Sequence, residues 1–172
     1  MAKRTLFPFG AVLAVLLVMA GCGKPEEGMN ELTLKQLEEK LDNQETFLLL
    51  TFAADEKDVK DTKLIEAFDD SLKQEGLTGF YVNLKGEDEQ KLIEWGREHT
   101  HPQAEIDWEP VDDGLVLINN GSKIYTGSVI TKNMVRNMAS ESLTFMNDDD
   151  IVNGVDNILE YAQTNNINLE HE

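Results

Sequence analysis

The chain has 172 residues, 41% of them hydrophobic, with 33 Asp and Glu against 15 Lys and Arg and a formal net charge of −18. That length supports one globular domain with a core of its own, while the acidity opposes nucleic-acid binding, which relies on clustered Lys and Arg to displace counterions from phosphates. The single cysteine excludes an intramolecular disulfide, a dithiol redox pair and any multi-cysteine zinc site.

Lys3 and Arg4 form a positive head, and Leu6 to Met19 follow as an uncharged apolar run broken only by Pro8 and Gly10. The run is shorter than the ~20 residues of a spanning helix and ends in small residues, the pattern of an export signal. Met19-Ala20-Gly21-Cys22 resembles the lipobox of bacterial lipoproteins, with Met19 in place of the usual leucine. That resemblance implies transfer of diacylglycerol to the Cys22 thiol, cleavage just before it, and display from the extracytoplasmic face of the bacterial cell membrane. The expected organisation is a lipoprotein signal peptide over 1–21, a lipidated polar tether over 22–31 and a folded domain over 32–172.

Thr33 and Gln36 have the spacing of a capping box, with Leu32 and Leu37 placed as a hydrophobic staple, so a helix is predicted from Thr33. Leu34, Leu37 and Leu41 share its inner face, and Asp42-Asn43 ends it. Thr46 to Ala53 is a continuous apolar run of strand length, the pattern of a central strand covered on both faces. A charged loop is expected over Asp55 to Asp61. Leu64, Ile65, Phe68 and Leu72 then have helical spacing, with Gly76 at the C-terminal cap.

Phe80 to Leu84 reads as a second strand and Asp88 to Glu98 as a helix with Leu92, Ile93 and Trp95 inward. Leu115 to Ile118 and Lys123 to Gly127 read as two strands joined by an Asn119-Asn120-Gly121 turn. Met134, Val135 and Met138 indicate an additional helix. Asp148-Asp149-Asp150 opens a last helix, where negative charge suits the macrodipole, with Ile151, Val155, Ile158, Leu159 and Ala162 as its buried stripe.

This order of elements is similar to the thioredoxin fold, an α/β architecture with a mixed sheet flanked by helices. The local strings that carry the resemblance are Leu49-Leu50-Thr51-Phe52-Ala53, like the strand before the family's active loop, and Gly114 to Gly121, like its hairpin. The resemblance aligns the family's Cys-x-x-Cys with Lys57-Asp58-Val59-Lys60 and its cis-proline with about Asp113. Both hallmarks are absent from the sequence, so the implied scaffold lacks the groups for thiol–disulfide exchange. Another α/β sandwich with a mixed sheet is the competing fold.

Other constellations have bland alternatives. Lys57 and Lys60 offer a cationic spot at the N-terminal end of a helix, which favours anions, but read more simply as solvated loop charges among acidic neighbours. His99 and His101, near Glu98, Glu105 and Asp107, offer metal-ligand types but equally a polar loop before Pro102. Asp149, Asn153, Gly154 and Glu160 match a calcium-loop pattern that fails at Ile151, where an oxygen ligand is required. Trp95 reads as core and Trp108 as a loop anchor. The expected function is a membrane-tethered, non-enzymatic binding or adaptor domain for a protein or cell-envelope partner, attached through the lipid on Cys22 and needing no cofactor. Its acidity favours cationic partners. A metal-binding envelope lipoprotein and a hydrolase with a dispersed site are the competing functions.

Overall fold

A computed structural model describes residues 25–144 and 153–169. In chain order the elements are β1 (Gly28–Glu31), α1 (Leu34–Asp42), β2 (Phe47–Phe52), α2 (Glu56–Asp61), α3 (Leu64–Gln74), β3 (Thr78–Asn83), α4 (Glu89–Glu98), β4 (Gly114–Asn119), β5 (Ser122–Ser128), α5 (Lys132–Ser140) and α6 (Gly154–Thr164). The five strands form one mixed sheet in the order β1-β3-β2-β4-β5. Strands β1, β3 and β2 are parallel, and β4 and β5 continue the sheet in antiparallel pairs. The protein is an α/β fold with helices on both faces of this sheet.

All six residues of β2 are buried. Because strand side chains alternate, Leu48, Leu50 and Phe52 enter one core, with Phe68 and Leu72 of α3, Val135 of α5 and Ile158 of α6. Phe47 and Leu49 enter the other, with Leu37 and Leu41 of α1, Leu92 of α4 and Trp108 of the connection before β4. The continuous apolar run therefore marks a strand covered on both sides, as its sequence implies.

Local chemistry sets the boundaries. Thr33 caps α1, its hydroxyl accepting from the Gln36 amide at 3.3 Å while the Gln36 side chain accepts from the Thr33 amide at 2.9 Å. Helix α3 closes with the Leu77 amide on the Leu72 carbonyl and the Gly76 amide on the Lys73 carbonyl, the paired bonds of a Schellman motif. The β4–β5 turn is two residues long, Asn120 at φ 49° and Gly121 at φ 74°, the left-handed pair that matches strand twist. A Cβ at Gly121 would collide with the Leu41 carbonyl, so glycine there also lets the hairpin seat against the end of α1. The helix anticipated around Met134 is α5, with Val135 buried and Thr131 capping it.

Two elements differ from the sequence expectation. The sheet begins at Gly28, four residues before the expected domain start, because Gly28–Glu31 adds to β3 as an edge strand. This strand is short, polar and only partly buried, so it lacks a hydrophobic alternation. It is held instead by Asp69 of α3, which accepts from the Met29 amide at 2.8 Å and from Lys73 at 2.6 Å. The second difference is α2, which replaces the expected charged loop. Asp148 to Ile151, expected to open the last helix, lie outside the described residues. Within them, α6 buries Val155, Ile158 and Ala162.

Burial of Asp69 raises its affinity for a proton, but the Lys73 ammonium and the Met29 amide outweigh this and hold the carboxyl below the usual range. The stabilisation is present above the unfolded carboxyl's pKa and is lost as pH falls through the lower folded value. Asp69→Asn is therefore expected to lower Tm at pH 7, with the difference from wild type shrinking as pH falls below the ordinary carboxylate range. Thermal melts from pH 7 to pH 2 measure it, and a pH-independent difference contradicts it.

Candidate functional site

The exit of β2 builds the site. Asn83, at the end of β3, donates to the Ala54 carbonyl at 2.9 Å and accepts from the Ala54 amide at 3.3 Å. That clamp fixes the chain as it leaves the sheet for α2. Helix α2 has acidic Glu56 and Asp58 in its first turn and Lys60 in its last, the arrangement that complements the helix dipole. Thr62 closes it, donating to the Asp58 carbonyl at 2.9 Å. Lys63 then adopts φ 53°, a left-handed conformation costing about 1 kcal/mol for a side-chain-bearing residue, and this bend separates α2 from α3.

The result is a crevice of about 400 Å³ at the carboxyl ends of β1, β2 and β3. Glu31, Phe52 and Tyr81 come from the strands, and Val59, Lys60, Lys63 and Ile65 from the helical side. Phe52 and Tyr81 stack at 6.4 Å with planes 16° apart, giving an apolar floor. Burial, then the Glu31 charge and its hydrogen bond to the phenol, push the Tyr81 pKa up, so the hydroxyl stays protonated. A wider hollow lies alongside, bordered by Asp55, Lys57 and Asp58, where Lys85 pairs with Asp55. The carboxyl ends of parallel strands are where open α/β sheets take ligands. The lining supplies carboxylates, amines and a phenol around an aromatic floor, and contains neither sulfur nor imidazole.

Lys57 and Lys60 both lie on α2 and are exposed. Lys57 pairs with Asp61 at 3.6 Å, while Lys60 borders the crevice. Asp113 is at the same end of the sheet, since its neighbour Gly114 pairs with Thr51, but it does not line the crevice. Its carboxylate accepts from the Glu109 amide at 2.9 Å and sits 3.8 Å from Lys123 Nζ. Lys123 is almost wholly buried and donates to the Ile106 carbonyl at 2.8 Å. Burial pushes the Asp113 pKa up, against the Glu109 amide and Lys123. It pushes the Lys123 pKa down, against the attraction of Asp113 and Asp107. Sequence reading missed Glu31, Tyr81, Asn83 and Lys123. A polar residue closing an apolar strand is the signal for Asn83, whereas Glu31 and Tyr81 join the site only through the pairing of β1 and β3, and a lysine in a hairpin strand reads as solvent-facing.

The remaining candidates are dispersed. His99 has Nδ1 2.8 Å from the Trp95 carbonyl and its ring against Trp95, and His101 Nδ1 accepts from the Gln103 amide at 3.2 Å. Among the described residues no group of three or more His, Cys, Asp or Glu side chains is placed to hold a metal ion. Trp108 anchors its loop by full burial beside Trp95, 4.9 Å away. Gly96 permits that approach, because a Cβ would meet the Trp108 carbonyl and the Pro110 ring. Of the calcium pattern, Gly154 and Glu160 lie in α6, while Asp149 and Ile151 fall outside the described residues, as does Cys22. No helix among the described residues is long and apolar enough to cross a membrane. Compared with known proteins, the chain matches no family model, no curated sequence and no solved structure.

Removing Asp113 leaves a buried ammonium without its counter-ion, whereas removing Lys123 leaves a carboxyl that retains the Glu109 amide and takes up a proton readily. Urea unfolding is expected to show a loss of about 3 kcal/mol or more for Asp113→Ala, a smaller loss for Lys123→Met, and partial recovery in the double variant. Equal, additive losses contradict a coupled pair.

Proposed function

We infer that this chain is a lipid-tethered, extracytoplasmic binding or adaptor domain for a protein or cell-envelope partner, built on a thioredoxin-like scaffold without redox chemistry. The observation that carries the reading is the crevice at the strand ends, bordered by α2 with Lys57 and Lys60 where the thioredoxin resemblance calls for cysteines. Disulfide exchange needs one thiolate to attack and a second thiol to resolve the mixed disulfide. Ammonium groups do neither, and the single cysteine, Cys22, stands in the lipobox.

The scaffold assignment is supported by the strand order β1-β3-β2-β4-β5, the helix directly after β2, the antiparallel β4–β5 hairpin and the closing α6. The crevice pairs an aromatic floor with charges of both signs, a lining suited to recognition.

The anchor reading rests on Met19-Ala20-Gly21-Cys22. Two or more acyl chains give stable membrane attachment where one is marginal. The six residues from Cys22 to Glu27 span at most about 20 Å, so lipid on Cys22 keeps the β1 edge of the sheet near the bilayer. Metabolic labelling with a clickable fatty acid in a bacterial host tests this. Wild type is expected to incorporate label and fractionate with membranes, while Cys22→Ser carries no label and is unprocessed or released. Equal labelling of the two forms contradicts the anchor.

A further inference from the structure

We propose that the crevice at the end of β2 captures the free amino terminus of an extracytoplasmic polypeptide whose first residue is apolar, a deepening of the binding-domain reading on which it rests. Two cavities meet there. The crevice of about 400 Å³ and the wider hollow beside it share three lining residues, Glu31, Glu56 and Asn83. Glu31 belongs to β1, Glu56 to α2 and Asn83 to β3, so a group at this junction is met from three elements of the fold.

The junction is short of positive charge. Around the two cavities Lys57 pairs with Asp61 at 3.6 Å, Lys63 with Glu66 at 3.9 Å, and Lys85 with Asp55. Glu31 and Glu56 are exposed, and among the described residues neither has an ion-pair partner. Glu31 accepts from the Tyr81 phenol, which leaves its charge uncompensated. Asn83 has its side-chain oxygen committed to the Ala54 and Lys85 amides and its nitrogen to the Ala54 carbonyl. The acceptors left at the junction are two carboxylates, and they suit a cation. Lys60 is the one lysine of the lining without an ion pair among the described residues, and it suits the carbonyl oxygens of the chain that follows.

Beside the carboxylates the crevice is apolar. Val59 and Ile65 are half-buried in its wall, and the Tyr81 ring, stacked on buried Phe52, forms its floor. An α-ammonium sits on the carbon that carries the first side chain, so an apolar first residue sets charge beside apolar surface as this lining does. A lysine side chain instead holds its ammonium at the end of a flexible stem. The volume is at the lower end of ligand cavities, which suits a chain end rather than a long segment. Export supplies such ends, because removal of a signal peptide gives the mature chain a new amino terminus. The proposed tether enters β1 at Gly28, the opposite end of the strand from Glu31.

The test uses the full-length lipoprotein in phosphatidylcholine nanodiscs and a Leu-Ser-Gly-Ser-Gly peptide with a free amino terminus and a dye on its carboxyl end, followed by anisotropy. Saturable binding is expected at pH 7, weakened about tenfold by acetylating the peptide or by glycine in place of its leucine. Glu31→Gln with Glu56→Gln is expected to weaken it to a similar extent, and these exposed, near-isosteric changes leave the core intact. The remote pair Glu38→Gln with Glu39→Gln is expected to leave affinity within about twofold, since exposed charges beyond a Debye length are screened. Raising the pH to 9 deprotonates the peptide amine, whose pKa is about 8, and is expected to weaken binding about tenfold, whereas a lysine side chain stays charged there. Absence of binding by wild type, affinity retained at pH 9, or equal losses in the junction and remote variants overturns the proposal. Equal binding of the acetylated peptide, still lost in the junction variant, overturns capture of an amino terminus but leaves the binding-domain reading standing.

Discussion

Burial of β2 on both faces is the constraint from which the rest of the architecture follows. Phe47 to Phe52 are all removed from water, and each fully buried leucine or phenylalanine contributes about 2 kcal/mol of transfer free energy. That burial requires a layer on either side: α3, α5 and α6 on one, α1, α4 and the Trp108 connection on the other. Even Thr51 is fully enclosed, with a hydroxyl that lacks a hydrogen-bond partner. A strand held this tightly has one exit, and the Asn83 clamp on Ala54 makes that exit the place where a helix and a crevice are built.

Polar and charged surfaces take over where the two cores end. At the carboxyl ends of the parallel strands the apolar face continues through Phe52 and Tyr81, joined by Val59 and Ile65, before charged residues take over. At the β5 edge, the sheet ends in a stacked tyrosine pair bordered by carboxylates. The proposed lipid tether leads into β1, at the other edge of the sheet from β5.

Elements with strong periodicity or punctuation were legible in the sequence. The Thr33–Gln36 box, the β2 run, the Leu64 to Leu72 stripe, the Asn120-Gly121 turn and the Met134 to Met138 helix all correspond to observed elements. Strand β1 was not legible, because an edge strand of Gly-Met-Asn-Glu is held by backbone pairing and by Asp69, forty residues away. Helix α2 has a single apolar residue, Val59, which packs against the core, so its sequence carries no helical stripe and only charge placement and the Thr62 cap mark it. The crevice was half legible. Lys57 and Lys60 lie beside it, but Glu31, Tyr81 and Asn83 enter only through parallel pairing, and Asp113 is drawn away by Lys123, whose burial no local pattern reveals.

The central claim is that the crevice at the end of β2 engages a macromolecular partner without chemistry. Site-specific photocrosslinking in intact bacteria tests it most directly, with a photoreactive amino acid placed at Val59 in the crevice wall or, as control, at exposed Glu39 on α1. The account predicts a discrete adduct from position 59 that is absent from position 39. No adduct at position 59, or the same products from both positions, would contradict it.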